Sequence, residues 1–300
     1  MSSPKTKIHS EAEMAQFIKE EIKAFARNSP LNRLPGTDNY IIFDEPLVQF
    51  ADGDDPLFTE YKTIIDPTHL NPREALAKAY SKSPEDMPAR LSVISWVLPI
   101  GSKIRESNRR HSLTPSRLWL RGYGHGENFN RAMRAHVVKL LTEMGYLAVA
   151  PVLQPYFKMM EYSSEKGYYS NWSERHIAYA AGLGTFSLSD GFITERGIAH
   201  RCGSVATNLI LPVSPRTAKN LYSNCLFYIN SKCKACIARC PAGAITENGH
   251  DKTKCREYMS TKFHHLLNEY TGGEEACGLC QTRVPCEFRN PTKNLNRETA

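Results

Sequence analysis

The sequence predicts a mixed α/β (α+β) fold in two lobes: a larger lobe over residues 1–215 built on a helix-flanked sheet, and a small cysteine-rich lobe over residues 216–300. Three observations lead there. Helical and strand-like apolar patterns alternate through the first two thirds of the chain. Eight of the nine cysteines fall between 225 and 286. The length of 300 residues exceeds one average domain and suits a large domain with a smaller appendage.

In chain order, Ser10 reads as a helix N-cap with Glu13 completing a capping box. Met14, Phe17, Ile18, Ile22 and Phe25 then recur at helical spacing and form one apolar stripe. Residues 28–90 are rich in Pro, Asp and Gly with short apolar runs such as "YIIF", which predicts loop-rich wrapping with one or two short strands. "RLSVISWVLPI" (90–100) reads as a buried strand, β-branched and closed by Pro and Gly. "GYGHGEN" is glycine-rich and reads as a loop. Met133, Val137, Leu140, Leu141 and Met144 form a helical stripe that Gly145 stops, and "YLAVAP" reads as the next strand. A second helix is expected over 171–182, then "SVATNLILP" (204–212) as a further strand. From about 216 the texture changes, and the boundary is drawn there.

Composition is that of a soluble globular chain, 41% hydrophobic and 23% charged. No apolar run approaches the roughly 18 residues of a membrane span. The start, "MSSPKTKIHSEAEMAQF", lacks an apolar signal region and a twin-arginine pair, so a cytoplasmic chain with no membrane span is expected. In that compartment, clustered thiols favour metal or redox chemistry over disulfides. The net charge of +7, from 38 basic and 31 acidic residues, is met by a solvated surface or by an anionic partner: nucleic acid, an acidic electron donor or a phosphate-bearing cofactor. No aromatic-studded RNA-binding strand accompanies it.

"CKACIARCP" places Cys233, Cys236 and Cys240–Pro241 on the last three ligands of C-x2-C-x2-C-x3-C-P, the bacterial iron–sulfur run. Asn230 stands in the first slot, and Cys225 is its substitute on a longer loop. Downstream lie Cys255 and then Cys277, Cys280 and Cys286 in "CGLCQTRVPC". Leaving Cys202 aside as a spare thiol, eight ligands suffice for two [4Fe-4S] clusters. In two-cluster ferredoxins the fourth cysteine of a run crosses to the other cluster. By that logic Cys225, Cys233, Cys236 and Cys286 hold one cluster, and Cys240, Cys255, Cys277 and Cys280 the other, in a compact ferredoxin-like lobe. Structural zinc is the competing use of paired C-x2-C elements, and a disulfide framework is a third. No G-x-G-x-x-G follows a strand, so a nicotinamide or flavin fingerprint is absent.

"SERHIAYAAGLGTFSLSDGFITERG…RCGS", followed by "CKACIARCP", a lone Cys255 and "CGLCQTRVPC", resembles the superfamily of epoxyqueuosine reductases and reductive dehalogenases over roughly residues 90–290. Glu174–Arg175 with Ala181, Gly182, Leu183 and Gly184 matches the E-R-x-x-x-x-A-G-L-G element of those enzymes. The resemblance implies a nitroreductase-like α/β domain that holds base-off cobalamin beside the two clusters. No D-x-H-x-x-G segment, the His-on corrinoid signature, is present. It also implies a ferredoxin- or flavodoxin-type electron donor, a small organic substrate, and reduction at cobalt. The position where epoxyqueuosine reductases carry a catalytic aspartate is Tyr168 here, with Tyr169 beside it, and reductive dehalogenases use a tyrosine as proton donor. No helical-repeat tail of the kind epoxyqueuosine reductases use for tRNA follows Cys286, so a tRNA substrate is the less favoured reading. An electron-transfer or corrinoid-activating protein without its own organic substrate is the alternative.

The candidate site residues follow. Tyr168 or Tyr169 would donate a proton, with Glu161 as fallback. A phenol needs a cationic neighbour to do so near neutral pH, and Arg175 or His176 could supply one. Gly182 and Gly184 would allow a flat cofactor to approach the backbone. Ser187, Ser189 and Asp190 would hydrogen-bond its amides or nucleotide tail. Trp119 and Trp172 are core residues or pocket walls. Arg117, Arg121 and His125, read as a loop before a helix, would meet a phosphate or carboxylate.

Overall fold

The computed structural model of the chain describes residues 10–163, 167–273 and 276–293. The first helix, α1 (Glu11–Asn28), begins where the Ser10 hydroxyl accepts from the Glu13 amide at 3.2 Å and donates to the Glu13 carboxylate at 3.0 Å. Met14, Ile18 and Ile22 of its stripe are buried.

The stretch expected to be loop-rich carries more regular structure than the pattern suggests: β1 (Leu47–Asp52), α2 (Leu57–Ile64) and α3 (Pro72–Ala79). The start of α3 follows from its residues. Asn71 accepts from the Glu74 amide at 2.8 Å, Glu74 accepts from the Asn71 amide at 2.9 Å, and Pro72 takes the first turn. "YIIF" forms only isolated bridges, Ile41 with Arg33 and Phe43 with Ile100.

Next come β2 (Ser92–Pro99), α4 (Ser102–Arg109) and α5 (Arg117–Glu143). The glycine-rich "GYGHGEN" lies inside α5, not in a loop, and Arg117, Arg121 and His125 are helical with it. Packing overrides propensity there. A β-carbon on Gly122 would come within 2.8 Å of Ile104, on Gly124 within 2.4 Å of the Tyr270 carbonyl, and on Gly126 within 2.7 Å of Phe43. Each glycine costs about 1 kcal/mol of helix propensity relative to alanine, and close packing of three neighbours offsets it. Gly145, at φ +91°, ends the unit as expected.

Beyond α5 follow β3 (Ala148–Val149), the hairpin β4 (Met159–Ser163) and β5 (Gly167–Ser170), α6 (Glu174–Ala180), the hairpin β6 (Gly184–Phe186) and β7 (Phe192–Thr194), and β8 (His200–Thr207). The expected strand at 204–212 thus starts earlier and stops at Thr207, and "YLAVAP" shrinks to two strand residues. The main sheet has the order β1-β2-β8-β3 with every neighbour antiparallel. All eight residues of β2 are buried. Ile94, Trp96 and Leu98 face a core shared with α1 and α5, while Val93 and Val97 face one shared with α2, α3 and α6. A strand covered on both faces has no polar side to present, which is why it reads as one apolar run.

The cysteine-rich segment holds α7 (Leu226–Asn230), α8 (Ala235–Arg239), the hairpin β9 (Ile245–Thr246) and β10 (Gly249–His250), α9 (Lys252–Lys262) and α10 (His264–Thr271). Met259, Phe263, Leu267 and Ala276 belong to the same core as α5. Trp119 donates from Nε1 to the Ala276 carbonyl at 3.1 Å. The segment after 216 is therefore packed into the larger lobe along α5. No helix among the described residues is long and apolar enough to cross a membrane.

Candidate metal centre and the face beside it

The thiols collect in two places. Cys225, Cys233, Cys236 and Cys286 line one pocket, about 360 Å³ of empty space counting its open mouth. They come from three separate stretches. Cys225 precedes α7, Cys233 and Cys236 bracket the start of α8, and Cys286 returns fifty residues later. Burial pushes the Cys236 thiol up to about 11, with Cys225 and Cys233 adding to the shift. Burial raises Cys286 as well, and its neighbours are again Cys225, Cys236 and Cys233. The second group forms around Cys280, which burial raises well above its ordinary value, with Cys277, Cys255, Cys240 and Cys236 acting in the same direction. Cys277 rises to about 11, chiefly by burial. Thiols that crowd one another in an apolar setting resist ionisation, so a metal that takes them as thiolates must expel protons.

Among the described residues no three His, Cys, Asp or Glu side chains converge tightly enough to share a single ion. Zinc needs all its sulfurs about 2.3 Å from one centre. An iron–sulfur cube binds each thiolate to a different iron, so its ligands stand round a wider space than those of a single ion.

Cys286 is held from below. Its carbonyl accepts from the Ile198 amide at 2.8 Å. The next residue, Glu287, is a buried carboxylate that accepts from Arg109 Nε at 2.8 and 2.9 Å, from Arg105 Nη1 at 3.2 Å and from the Arg283 amide at 2.8 Å. Pattern reading missed this clamp, though a carboxylate directly after the last cysteine was the signal.

Beside the thiols, the residues proposed from the sequence fall into three sets. Ser187 and Ser189 are buried, bond to each other at 3.1 Å and line the thiol pocket. Arg175 and Asp190 meet: Arg175 Nη1 donates to the Asp190 carbonyl, and Asp190, at φ +56°, places Oδ2 3.4 Å from His250 Nδ1. Burial alone would raise the Asp190 carboxyl, but His250, Lys252 and Arg175 outweigh it and hold it below its ordinary value. Tyr168 lies over the Arg256 guanidinium, 3.8 Å from ring centroid to Cζ. The cation expected beside this phenol is therefore Arg256, in the turn of α9 next to Cys255, and not Arg175 or His176. Tyr169 faces the other way along β5, and burial together with a hydrogen bond to Asp66 raises its phenol. Glu161 is in β4, and its side chain lies outside the described residues.

His176 and the two glycines are engaged inside the chain. His176 is pushed down to about 3 by burial, then by Arg175. Its Nδ1 is 2.8 Å from Ser173 Oγ and its ring packs on Tyr61 and Phe186. A β-carbon on Gly182 would come within 2.7 Å of the Pro215 carbonyl, and on Gly184 within 2.3 Å of the Ile193 carbonyl. The close approaches at these glycines are to the chain's own backbone. Glu174 turns inward: it pairs with Arg134 Nη2 at 3.2 Å and accepts from Ser204 Oγ at 2.6 Å, while Trp172 Nε1 donates to Ser204 Oγ at 3.0 Å. Cys202 sits in this network, its carbonyl accepting from Asn130 and Arg134 and its thiol pushed up to about 12 by burial. A thiol whose ionisation is disfavoured is a poor nucleophile, the ordinary state of a spare cysteine.

No family model matches this sequence, and no curated protein matches it. Among solved structures, that of a reductive dehalogenase described for B12-dependent dehalogenation superposes with a TM-score of 0.52 at 17% identity, covering 99% of this chain and 35% of that one. The catabolic reductive dehalogenase NpRdhA matches equally, at TM-score 0.52 and 17% identity, again over 99% of this chain and 35% of its own. An epoxyqueuosine reductase from Bacillus subtilis aligns at TM-score 0.48 and 17% identity over 91% of this chain and 66% of that one. The chain thus spans about a third of the dehalogenases' length. The likeness to the dehalogenases is one of fold, a mixed α/β architecture on antiparallel sheets.

Proposed function

We propose that this chain is an iron–sulfur oxidoreductase. Cys225, Cys233, Cys236 and Cys286 hold one [4Fe-4S] cluster, and Cys240, Cys255, Cys277 and Cys280 hold the second. Electrons arrive singly from a ferredoxin- or flavodoxin-type donor and leave toward an acceptor at the face formed by Tyr168, Arg175, Asp190, His250 and Arg256. One observation carries the reading: four cysteines from three distant stretches line a common pocket. Glu287 fixes Cys286, and the hydrophobic wall of Leu188, Ile193 and Ile198 keeps the cluster's surroundings apolar.

The finer reading names the chemistry. By resemblance, the acceptor is base-off cobalamin, which when bound supplies the low-valent cobalt that reduces a small organic substrate in reductive dehalogenase-like or epoxyqueuosine reductase-like fashion. Tyr168 holds the proton on its phenol oxygen, and the Arg256 guanidinium lies against its ring. Arg175 and Lys252 gather positive charge around Asp190, beside His250, and orient a polar acceptor. An electron-transfer or corrinoid-activating protein without its own organic substrate stands as the second reading.

Anaerobic purification with iron and zinc quantified tests the first claim. About eight irons per chain, with a paramagnetic signal on dithionite reduction, is expected; stoichiometric zinc without iron would overturn it. Titration with hydroxocobalamin then separates the two finer readings, since saturable binding with a base-off spectrum supports the first and none supports the second.

A further inference from the structure

The spacing of eight from Cys225 to Cys233 is longer than the iron–sulfur run requires, and the fold shows what the extra residues build. They form α7, which ends at Ser231 in the left-handed region, φ +56°. Leu226 and Phe227 turn in to line the thiol pocket, while Tyr228 and Ile229 turn out, 45% and 47% exposed. Leu221 is exposed beside them, and Tyr222 stacks on Tyr228 with ring centroids 4.1 Å apart. Large apolar side chains in solvent over a buried metal pocket are an unusual use of surface.

Along the chain, the charge beside them has one sign, although the Asp190 carboxylate also acts on Tyr228. From Arg216 to Thr246 the chain carries five basic residues and no acidic one. Arg216 is tied to Asp55, Arg239 to backbone carbonyls and Lys234 to Glu247, while Lys219 and Lys232 stand exposed on either side of α7. Residues 216–300 together hold 13 basic and 8 acidic residues, net +5 of the chain's +7. An apolar centre with a cationic rim is the complement of a small acidic protein whose redox group lies near its surface.

We propose that α7, with Leu221, Tyr222, Lys219 and Lys232, is the docking surface for an acidic one-electron carrier protein, which delivers one electron per encounter to the metal group behind Cys225 and Cys233. This rests on the iron–sulfur reading above. The electron passes from the reduced carrier to the oxidised cluster, so one is oxidised as the other is reduced and no bond changes hands. Ile229 supplies contact area, and the lysines steer the encounter and make it dependent on salt.

The test uses the full chain, reconstituted anaerobically, and a negatively charged flavodoxin in its hydroquinone form. Ile229→Glu and Lys232→Glu should each lower kcat/KM for reduction by flavodoxin at least about tenfold, and the wild-type rate should fall as salt rises through about 0.1 M. Reduction by dithionite, which needs no docking, should be the same in all three proteins. Variants that accept electrons from flavodoxin at the wild-type rate would overturn the proposal. So would Ile229→Glu turning a dimer into a monomer by light scattering, which would assign the face to a second copy. A wild-type chain that takes up no iron would instead sink the iron–sulfur reading, and this inference with it.

Discussion

At the scale of single residues, Tyr168 and Glu287 carry the sharpest expectations. Tyr168→Phe keeps the ring on Arg256 and removes only the hydroxyl group. Turnover of an organic substrate should then fall about 10²-fold or more, while reduction of the clusters by dithionite is unchanged. Arg256→Gln leaves the phenol but removes the cation against its ring, so turnover should fall while reduction of the clusters by dithionite is unchanged. Glu287→Ala leaves the guanidinium groups of Arg105 and Arg109 facing each other. Arg105 is mostly buried and Arg109 about a third exposed, so the expected loss is about 2 kcal/mol, below the 3–5 kcal/mol of a fully buried pair. Urea unfolding measures it, and iron content after reconstitution should fall as Cys286 loosens. Of these residues, the cysteines were legible from spacing and Tyr168 was singled out only through the family resemblance. Arg256 and Glu287 were not singled out, because a charge on a helix or in a turn reads as surface until its partners are known.

Among the elements, α5 shows why glycine spacing misleads. Three glycines within five residues read as a loop by propensity, yet they form the contact surface of a 27-residue helix. Gly124→Ala would gain about 1 kcal/mol of helix propensity. The new methyl would nevertheless meet the Tyr270 carbonyl at 2.4 Å, a backbone atom that cannot swing aside. The net effect should be a destabilisation of about 1–3 kcal/mol, seen as a lower urea midpoint. An unchanged or raised midpoint would show that α10 is free to move away. The short helix α3 is the opposite case, since its Asn71-Pro72 start and Glu74 were present in the sequence as a capping signal among loop-forming residues. Asn71→Ala should cost about 1 kcal/mol.

For the whole molecule, buried neutral histidines set the acid limit. Burial pushes His69 down to about 4, His176 to about 3 and His200 to about 4, against about 6.5 in the unfolded chain. Their folded-state values are depressed, so between about pH 6.5 and 4 the unfolded chain binds more protons. Stability is therefore complete above about pH 6.5 and falls as the pH drops. The urea midpoint should decline from pH 7 to pH 4.5, and His176→Phe should flatten that decline; an equal slope in the variant would show that His176 charges without penalty.

What the sequence determined by itself was the inventory of chemistry and its order along the chain: eight thiols clustered in the last quarter, three of them at iron–sulfur spacing, and a buried core strand over 90–100. Local spacing suffices for these, because ligand runs and apolar periods are short-range properties. Tertiary structure alone decided which thiols share a pocket, that Arg256 lies under Tyr168, that Gly182 and Gly184 serve the chain's own carbonyls, and that α7 turns two large side chains to solvent. These are contacts between residues far apart in sequence, and no local pattern records them because the side chains that meet are chosen by packing of the whole core.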